Sequence, residues 1–442
     1  MLNKQVVNHR QIAWLVGSLL TTGIMVAFFR SIVQVAEMDA WFSQILPVCY
    51  AFVVAFVLMQ VARKFPGKSL FEVIFILCGK WIGGAINLIL IFYIWMIVTL
   101  DIKGVSHFLK ESLLPRTPLG VILLVFVLLI MSYRKLDVMA RVNEMYFPTY
   151  FLMCLSITLL MMNEYSLDWL EPILTSGLDD IFTANYMTAG LYGDVLLIGA
   201  FLPSLTNPRL LFVSMKHGIM LAGFMISVVL LVMLGVFGFK IGGSLNYPVW
   251  VLAQQIHITD FLDRTEIFLL SLWFPAFTIK VIAAYLALLV GIGSFTKNYS
   301  GVYNTGIGTF LVGSSLLSFY NAKQLQNFIN YGYTAFVWAI QIPLLLLLLI
   351  GAASREARTD DVSRDIRKRR LMSGITYFSV FGCIASIVIG KIMYEMYASV
   401  GLAVSICYLF FLLTGVISSY SEMQIVNNTI HKTQQHTQHT KS

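Results

Sequence analysis

Long apolar runs dominate the chain, and polar residues gather in short stretches between them. Runs at about 12–35, 42–62, 83–103, 119–133, 145–162, 183–205, 217–239, 266–290, 302–320, 332–352, 372–391 and 398–420 are apolar on nearly every helical face. A helix that is apolar all round lies in lipid or in the centre of a large bundle. Crossing a bilayer takes roughly 20 such residues. No water reaches the backbone there, so each run must close its own hydrogen bonds as a helix. The pattern predicts an all-α integral membrane protein with twelve transmembrane helices, the fourth being short at fifteen residues.

Charge gives the orientation. With the N-terminus placed inside, 21 of the 30 Lys and Arg residues fall in inner segments and seven in outer ones. Cytoplasmic loops carry such an excess. The segment "NEYSLDWLEPILTSGLDDIF" has five acids and no Lys or Arg, as an outer loop should. Both termini are therefore expected in the cytoplasm. The composition agrees, with 58% hydrophobic and 12% charged residues, against about 25% charged in soluble proteins. The net charge of +8 resides in the inner loops and does not call for nucleic acid. The five cysteines lie in or beside apolar runs, so no structural disulfide is expected. The first run is too long for a signal peptide's apolar region, and no small-residue cleavage site follows it. "FPGKS" resembles part of a phosphate loop, but that pattern needs glycine at the position of Ala62. No zinc spacing, nucleophile elbow or dinucleotide fingerprint occurs, so neither an enzyme nor a cofactor is expected.

Two charges lie deep within the runs. Asp194 stands in "GLYGDVLLIG" with Gly190 and Gly193 beside it, and Lys280 lies centrally in the eighth run. A charge at the bilayer centre costs about 2.5–3.5 kcal/mol on insertion scales, so both should face the bundle interior. Asp101 and Arg30 lie nearer the outer ends of their runs and are expected to snorkel or pair at the interface. Ten runs precede the charged segment "SREARTDDVSRDIRKRR", and they divide into five and five. The first run starts inside and the sixth outside, so the second half would repeat the first upside down. Each half opens on a glycine with polar neighbours, "SLLTTGIMV" and "LYGDVLL". Interrupted helices at matching places of inverted halves point to a transporter-type binding site. Gly23 is equally compatible with simple helix packing.

The ordered motifs "RKFPGKSLFEV", "GKWIG", "FLKESLLPRTPL", "DVMARVNEMYFP", "YPVWVLAQQIHITDFLDRTE" and "FTIKVIAAYLA" resemble the spore-germination permease family. These are the B subunits of nutrient germinant receptors, within the amino acid–polyamine–organocation superfamily. The resemblance implies ten core helices in two inverted repeats of five. The first and sixth helices would be unwound at mid-membrane around a small-molecule site. It implies a receptor for a nutrient such as an amino acid, in the spore inner membrane or cell membrane, working with an A subunit and a C lipoprotein subunit. The chain departs from the pattern in having Asp194 where the family commonly has Glu, no Pro-Gly element in the first helix, and two helices beyond the tenth. The expected layout is a permease-like core over 1–352, a basic cytoplasmic linker over 353–371, two extra transmembrane helices over 372–420 and a disordered polar tail over 421–442. Arg367 to Arg370 serve as a positive-inside anchor or touch anionic membrane lipids.

An opened helix would offer N–H groups to a ligand carboxylate and carbonyls to an ammonium. The candidate ligand-binding residues are Thr21, Thr22 and Gly23 of the first helix, Tyr93 of the third, and Tyr192, Gly193 and Asp194 of the sixth. Trp273 and Phe277 of the eighth either shape the pocket or belong to the core. Lys280 either stands where sodium-coupled relatives of the fold bind their ion, or ties structurally to Asp194 or to free carbonyls. Asp194 is left with a ligand ammonium, Lys280 or a proton as its counterpart. The functions in contention are a receptor subunit that signals by changing shape and a proton-coupled amino acid transporter. The topology has a direct test. Cysteine-accessibility labelling of intact cells should find position 168 reactive and position 360 protected, and the opposite pattern would reverse the orientation.

Overall fold

A computed structural model of the chain describes residues 7–132, 135–205, 207–256, 264–296, 302–353, 366–394 and 400–439. Among these residues there are helices and no strands. The first expected span is α1 (His9–Ala27) and α2 (Phe29–Ala36), followed by a 3-10 turn over Glu37–Phe42. Then come α3 (Ile45–Lys64), α4 (Leu70–Ser112), α5 (Leu119–Ser132) and α6 (Leu136–Leu160). The sixth span is α7 (Leu178–Tyr192), which continues as a 3-10 helix over Gly193–Ser204. Next are α8 (Pro208–Gly242), the short α9 (Pro248–Gln254), α10 (Thr265–Thr296) and α11 (Val302–Leu317). The tenth span is α12 (Ala322–Asn327) and α13 (Tyr333–Ala353), joined by a π-turn over Phe328–Gly332. The chain closes with α14 (Ile366–Tyr394) and α15 (Val400–His439).

Among the described residues nine helical segments are long and apolar enough to cross a membrane, and α1 with α2 makes a tenth across a 67° bend. The 14-residue α5 and 16-residue α11 stand at the fourth and ninth expected runs. Several helices begin before their apolar run because local chemistry starts them. Asn8 and Gln11 form a capping box on α1, and Ser69 and Glu72 form one on α4, each satisfying N–H groups that the first turn leaves free. α6 starts at Leu136, nine residues before the run, since Leu136, Met139, Ala140 and Asn143 bury one stripe of an otherwise polar stretch. α4 turns sharply at Gly79, whose φ of 74° suits glycine alone.

Burial sorts the bundle. The apolar window of the sixth span is 89% buried and that of α10 is 83% buried, whereas α14 and α15 reach 33% and 28%. α7 and α10 are thus central, and the last two helices turn Phe378, Phe381 and Phe410 outward as lipid-facing helices do. α1 packs on α8, α6 and α10, and α13 crosses α7 and α3.

The C-terminal pair is not loosely attached. α15 runs along α8, and fully buried Lys216 of α8 forms an ion pair with Glu422 of α15. His217 Nδ1 shares a hydrogen bond with Ser419 Oγ at 3.1 Å. Tyr408 sets its ring edge-on to Trp41 and Phe42. Residues expected to form a tail from 421 instead continue α15, where Met423 and Val426 pack with Ala13 and Val213. A helix with a buried face and a buried ion pair has reason to stay wound. Most of the basic linker, 354–365, lies outside the described residues, and Arg367 to Arg370 form the first turns of α14.

Removing one partner of a buried ion pair leaves an uncompensated charge and typically costs about 3–5 kcal/mol. Lys216→Met and Glu422→Leu should each lower the thermal unfolding temperature of the purified protein clearly. The double variant should lose less than the sum, and additive losses would show that the pair does not hold α15 to α8.

Candidate functional site

The deep charges of the third, sixth and eighth spans meet. Lys280 Nζ donates to Asp101 Oδ1 at 2.9 Å and lies 3.7 Å from Asp194 Oδ2. Lys280 is 1% exposed and Asp194 fully buried. Asp194 Oδ1 accepts two hydroxyl hydrogen bonds, from Tyr333 at 2.7 Å and Tyr93 at 3.2 Å. Gln341 of α13 fixes the direction of one of them. Its Nε2 donates to Tyr93 OH at 2.8 Å and to the Gly193 carbonyl at 2.9 Å, while its Oε1 accepts from Tyr50 OH at 2.6 Å. With a donor already on its oxygen, Tyr93 points its own proton at Asp194.

Glycine makes these approaches possible. A Cβ on Gly23 would lie 2.7 Å from Lys280 Nζ, so α1 presents bare backbone to the ammonium. A Cβ on Gly193 would lie 2.8 Å from Gln341 Oε1 and 2.9 Å from Val337 Cγ1, and one on Gly190 would lie 2.8 Å from Thr334 Cα. The glycines of "GLYGDVLLIG" therefore seat α13 against α7. Tyr333, Val337 and Gln341, spaced by four, form the contacting stripe.

A small cavity lies beside this network. Asp101, Asp194 and Lys280 supply the charge on its wall, Tyr333 a hydroxyl, and Phe28, Ile97, Leu100, Leu191 and Phe277 apolar surface. Gly23 also borders it. The bend between α1 and α2 runs past its edge at Phe28.

The helix breaks differ from those expected. α1 stays helical through Thr21, Thr22 and Gly23, and the bend follows Ile24. The sixth span does not open at Gly193 but tightens there from α to 3-10 geometry. Of the expected site residues, Gly23, Asp194, Phe277 and Lys280 line the cavity. Tyr93 and Gly193 stand just behind it, through Asp194 and Gln341. Thr21 and Thr22 turn their hydroxyls back to the Gly17 and Ser18 carbonyls at 2.8 and 2.7 Å. Tyr192 OH donates to Gln44 Oε1 at 3.2 Å, toward α3 rather than the cavity. Trp273 lines a neighbouring aromatic pocket with Phe108, Tyr247 and Trp250, and its Nε1 donates to the Thr22 carbonyl at 3.0 Å.

Asp101, Tyr333 and Gln341 were missed. Asp101 had been placed near an interface, yet α4 continues to Ser112 and leaves it well inside the helix. Gln341, an amide within "FVWAIQIPLLLLLLI", carries the same depth signal that marks Asp194. Arg30 meets Asn246 near the α8–α9 connection. Among the described residues, no group of three or more His, Cys, Asp or Glu is placed to hold a metal ion.

Known proteins resemble the chain at both levels. In sequence, it is 24% identical over 331 residues to the putative spore germination protein YfkT of Bacillus subtilis, covering 72% of this chain and 88% of that protein. It is 20% identical over 328 residues to spore germination protein B2 of the same organism, with 72% and 88% covered. In structure, it is similar to a crystal structure of a mutant Eremococcus coleocola manganese transporter, with a TM-score of 0.55 at 12% identity, over 95% of this chain and 94% of that one. That likeness concerns the fold, and the helical core is of the transporter type. The profile of the permease family described as "Spore germination protein" matches residues 6–323. The chain belongs to this spore germination permease family.

Proposed function

We propose that the protein is a B-type subunit of a spore germinant receptor, with both termini cytoplasmic. A small nutrient, an amino acid being the simplest, enters the cavity between the first and sixth spans, and the resulting change of shape is passed to an A subunit and a lipoprotein subunit. The observation that supports this reading is the Asp101–Lys280–Asp194 group. It is buried, borders a cavity, and stands beside the bend of the first span in a transporter-type core. Buried charges at such a place are a recurrent mark of ligand sites in membrane proteins. Helices α14 and α15 stand outside the site as an accessory to the core.

A proton-coupled amino acid transporter would use the same cavity, and flux separates the two readings. Reconstituted proteoliposomes should bind labelled amino acid saturably without accumulating it, and sustained accumulation would replace the receptor reading with the transporter. Asp194→Asn keeps the shape and removes the charge. If the carboxylate faces a ligand ammonium, binding should weaken by about 30-fold or more, since breaking a buried charged pair costs about 2–5 kcal/mol. Unchanged affinity in the folded variant would remove Asp194 from the site. Gly23→Ala puts a methyl group where Lys280 Nζ now lies, so the ammonium must shift toward the cavity and away from Asp101, and the thermal unfolding temperature should fall modestly. A stabilised Gly23→Ala, as expected for a lipid-facing glycine, would contradict that contact.

A further inference from the structure

The charges on the cavity wall do not balance. Two carboxylates, Asp101 and Asp194, share one ammonium, Lys280. Their hydrogen bonds do not balance either. Asp101 Oδ1 takes the Lys280 proton, and Asp194 Oδ1 takes both tyrosine hydroxyls. The second oxygens, Asp101 Oδ2 and Asp194 Oδ2, are buried without a hydrogen-bond partner. An ionised carboxylate only accepts, at about four lone-pair sites. With both acids ionised, the wall carries one net negative charge, and two of its oxygens receive no hydrogen bond from the protein. Both acids lie within 4 Å of the same Nζ.

The rest of the wall narrows the occupant. Phe28, Ile97, Leu100, Val105, Leu191 and Phe277 ask for an apolar body. Among the described residues no second cation lines the cavity to meet a ligand carboxylate, and Lys280 is already held between two acids. A metal ion would have to displace that ammonium and find further ligands, and no metal-holding cluster exists among the described residues. A primary ammonium ion brings one charge and three donors, which fills both deficits at once. A zwitterion brings no net charge and leaves the imbalance in place.

We infer that the cavity takes a primary ammonium ion with a small apolar body and no free carboxylate, and that Asp101 is a second anionic anchor for it beside Asp194. This rests on the cavity being the nutrient site proposed above.

The test uses the full-length protein in nanodiscs and titration calorimetry. The probes are alanine, valine, leucine and phenylalanine, with the amide, the decarboxylated amine and the deaminated acid of each. At least one amide or amine should bind about tenfold or more tighter than its parent amino acid, and the acids should not bind. Asp101→Asn should weaken amine binding by about 30-fold or more. Amino acids that bind while their amides and amines do not would overturn the inference and leave the nutrient site standing. Binding by no probe would overturn it together with the amino acid reading. Amine affinity unchanged in folded Asp101→Asn would remove Asp101 as an anchor. If that variant does not fold, Asp101→Glu keeps the charge and shifts the carboxylate. It should weaken amine binding while preserving the order of amine over amino acid, and unaltered affinity would again count against the anchor.

Discussion

Lys280 lies between Asp101 and Asp194 in a part of the bundle where water does not compensate charge, and the packing of five spans follows from that. The ammonium belongs to α10, one acid to α4 and the other to the 3-10 half of the sixth span. α13 adds Tyr333, which donates to Asp194 Oδ1, and Gln341, which donates to Tyr93 OH. α1 contributes only the absence of a side chain at Gly23. A shift of one turn in any of these helices would strand a charge in low dielectric, at a cost of several kcal/mol. The group thus acts as a register pin for the core as well as the polar wall of its cavity.

The span pattern was legible because burial in lipid demands long apolar helices, and few other folds tolerate them. Asp194 and Lys280 were legible for the converse reason, as charges with no cheap place in lipid. What failed to show was pairing. Nothing in "VTLDIKG" reveals that α4 continues beyond its apolar run, so Asp101 looked peripheral. Thr21 and Thr22 looked like ligand groups because a hydroxyl in a membrane helix needs a partner. The helix itself supplies one four residues back, and that choice leaves no mark in the sequence. Gly190 and Gly193 suggested a place where the sixth helix opens, whereas they seat α13, and a glycine does not name the chain that approaches it.

The C-terminal pair was read as an addition to a ten-helix core; the family profile ends at residue 323, ahead of both α13 and the pair. Its contacts give it more weight. At one end Lys216 and Glu422 bind α15 to α8. At the other, Lys391 of α14 donates to the carbonyls of Leu174, Thr175 and Ser176 at 2.8, 3.3 and 2.9 Å. A hairpin tied at both ends restrains the helix between its anchors.

The segment that Lys391 holds is held from its other side as well. Asp39, buried in the 3-10 turn after α2, accepts from the Leu174 and Ser176 N–H groups at 2.6 and 2.9 Å. Ser176 Oγ donates to the Ala36 carbonyl at 2.9 Å. Residues 174–176 therefore bridge the end of the first span to α14, with donors and acceptors on opposite edges of the same three residues. The bend that borders the cavity divides the first span, and this bridge grips its far half. Any reorientation of α2 against α1 must carry the bridge and α14 with it or break several buried hydrogen bonds. Packed elements of this kind move between discrete arrangements rather than bending continuously. The physical path from the cavity edge to the last two helices is thus short and made of named bonds, and it runs through the half of the first span that the bend sets apart.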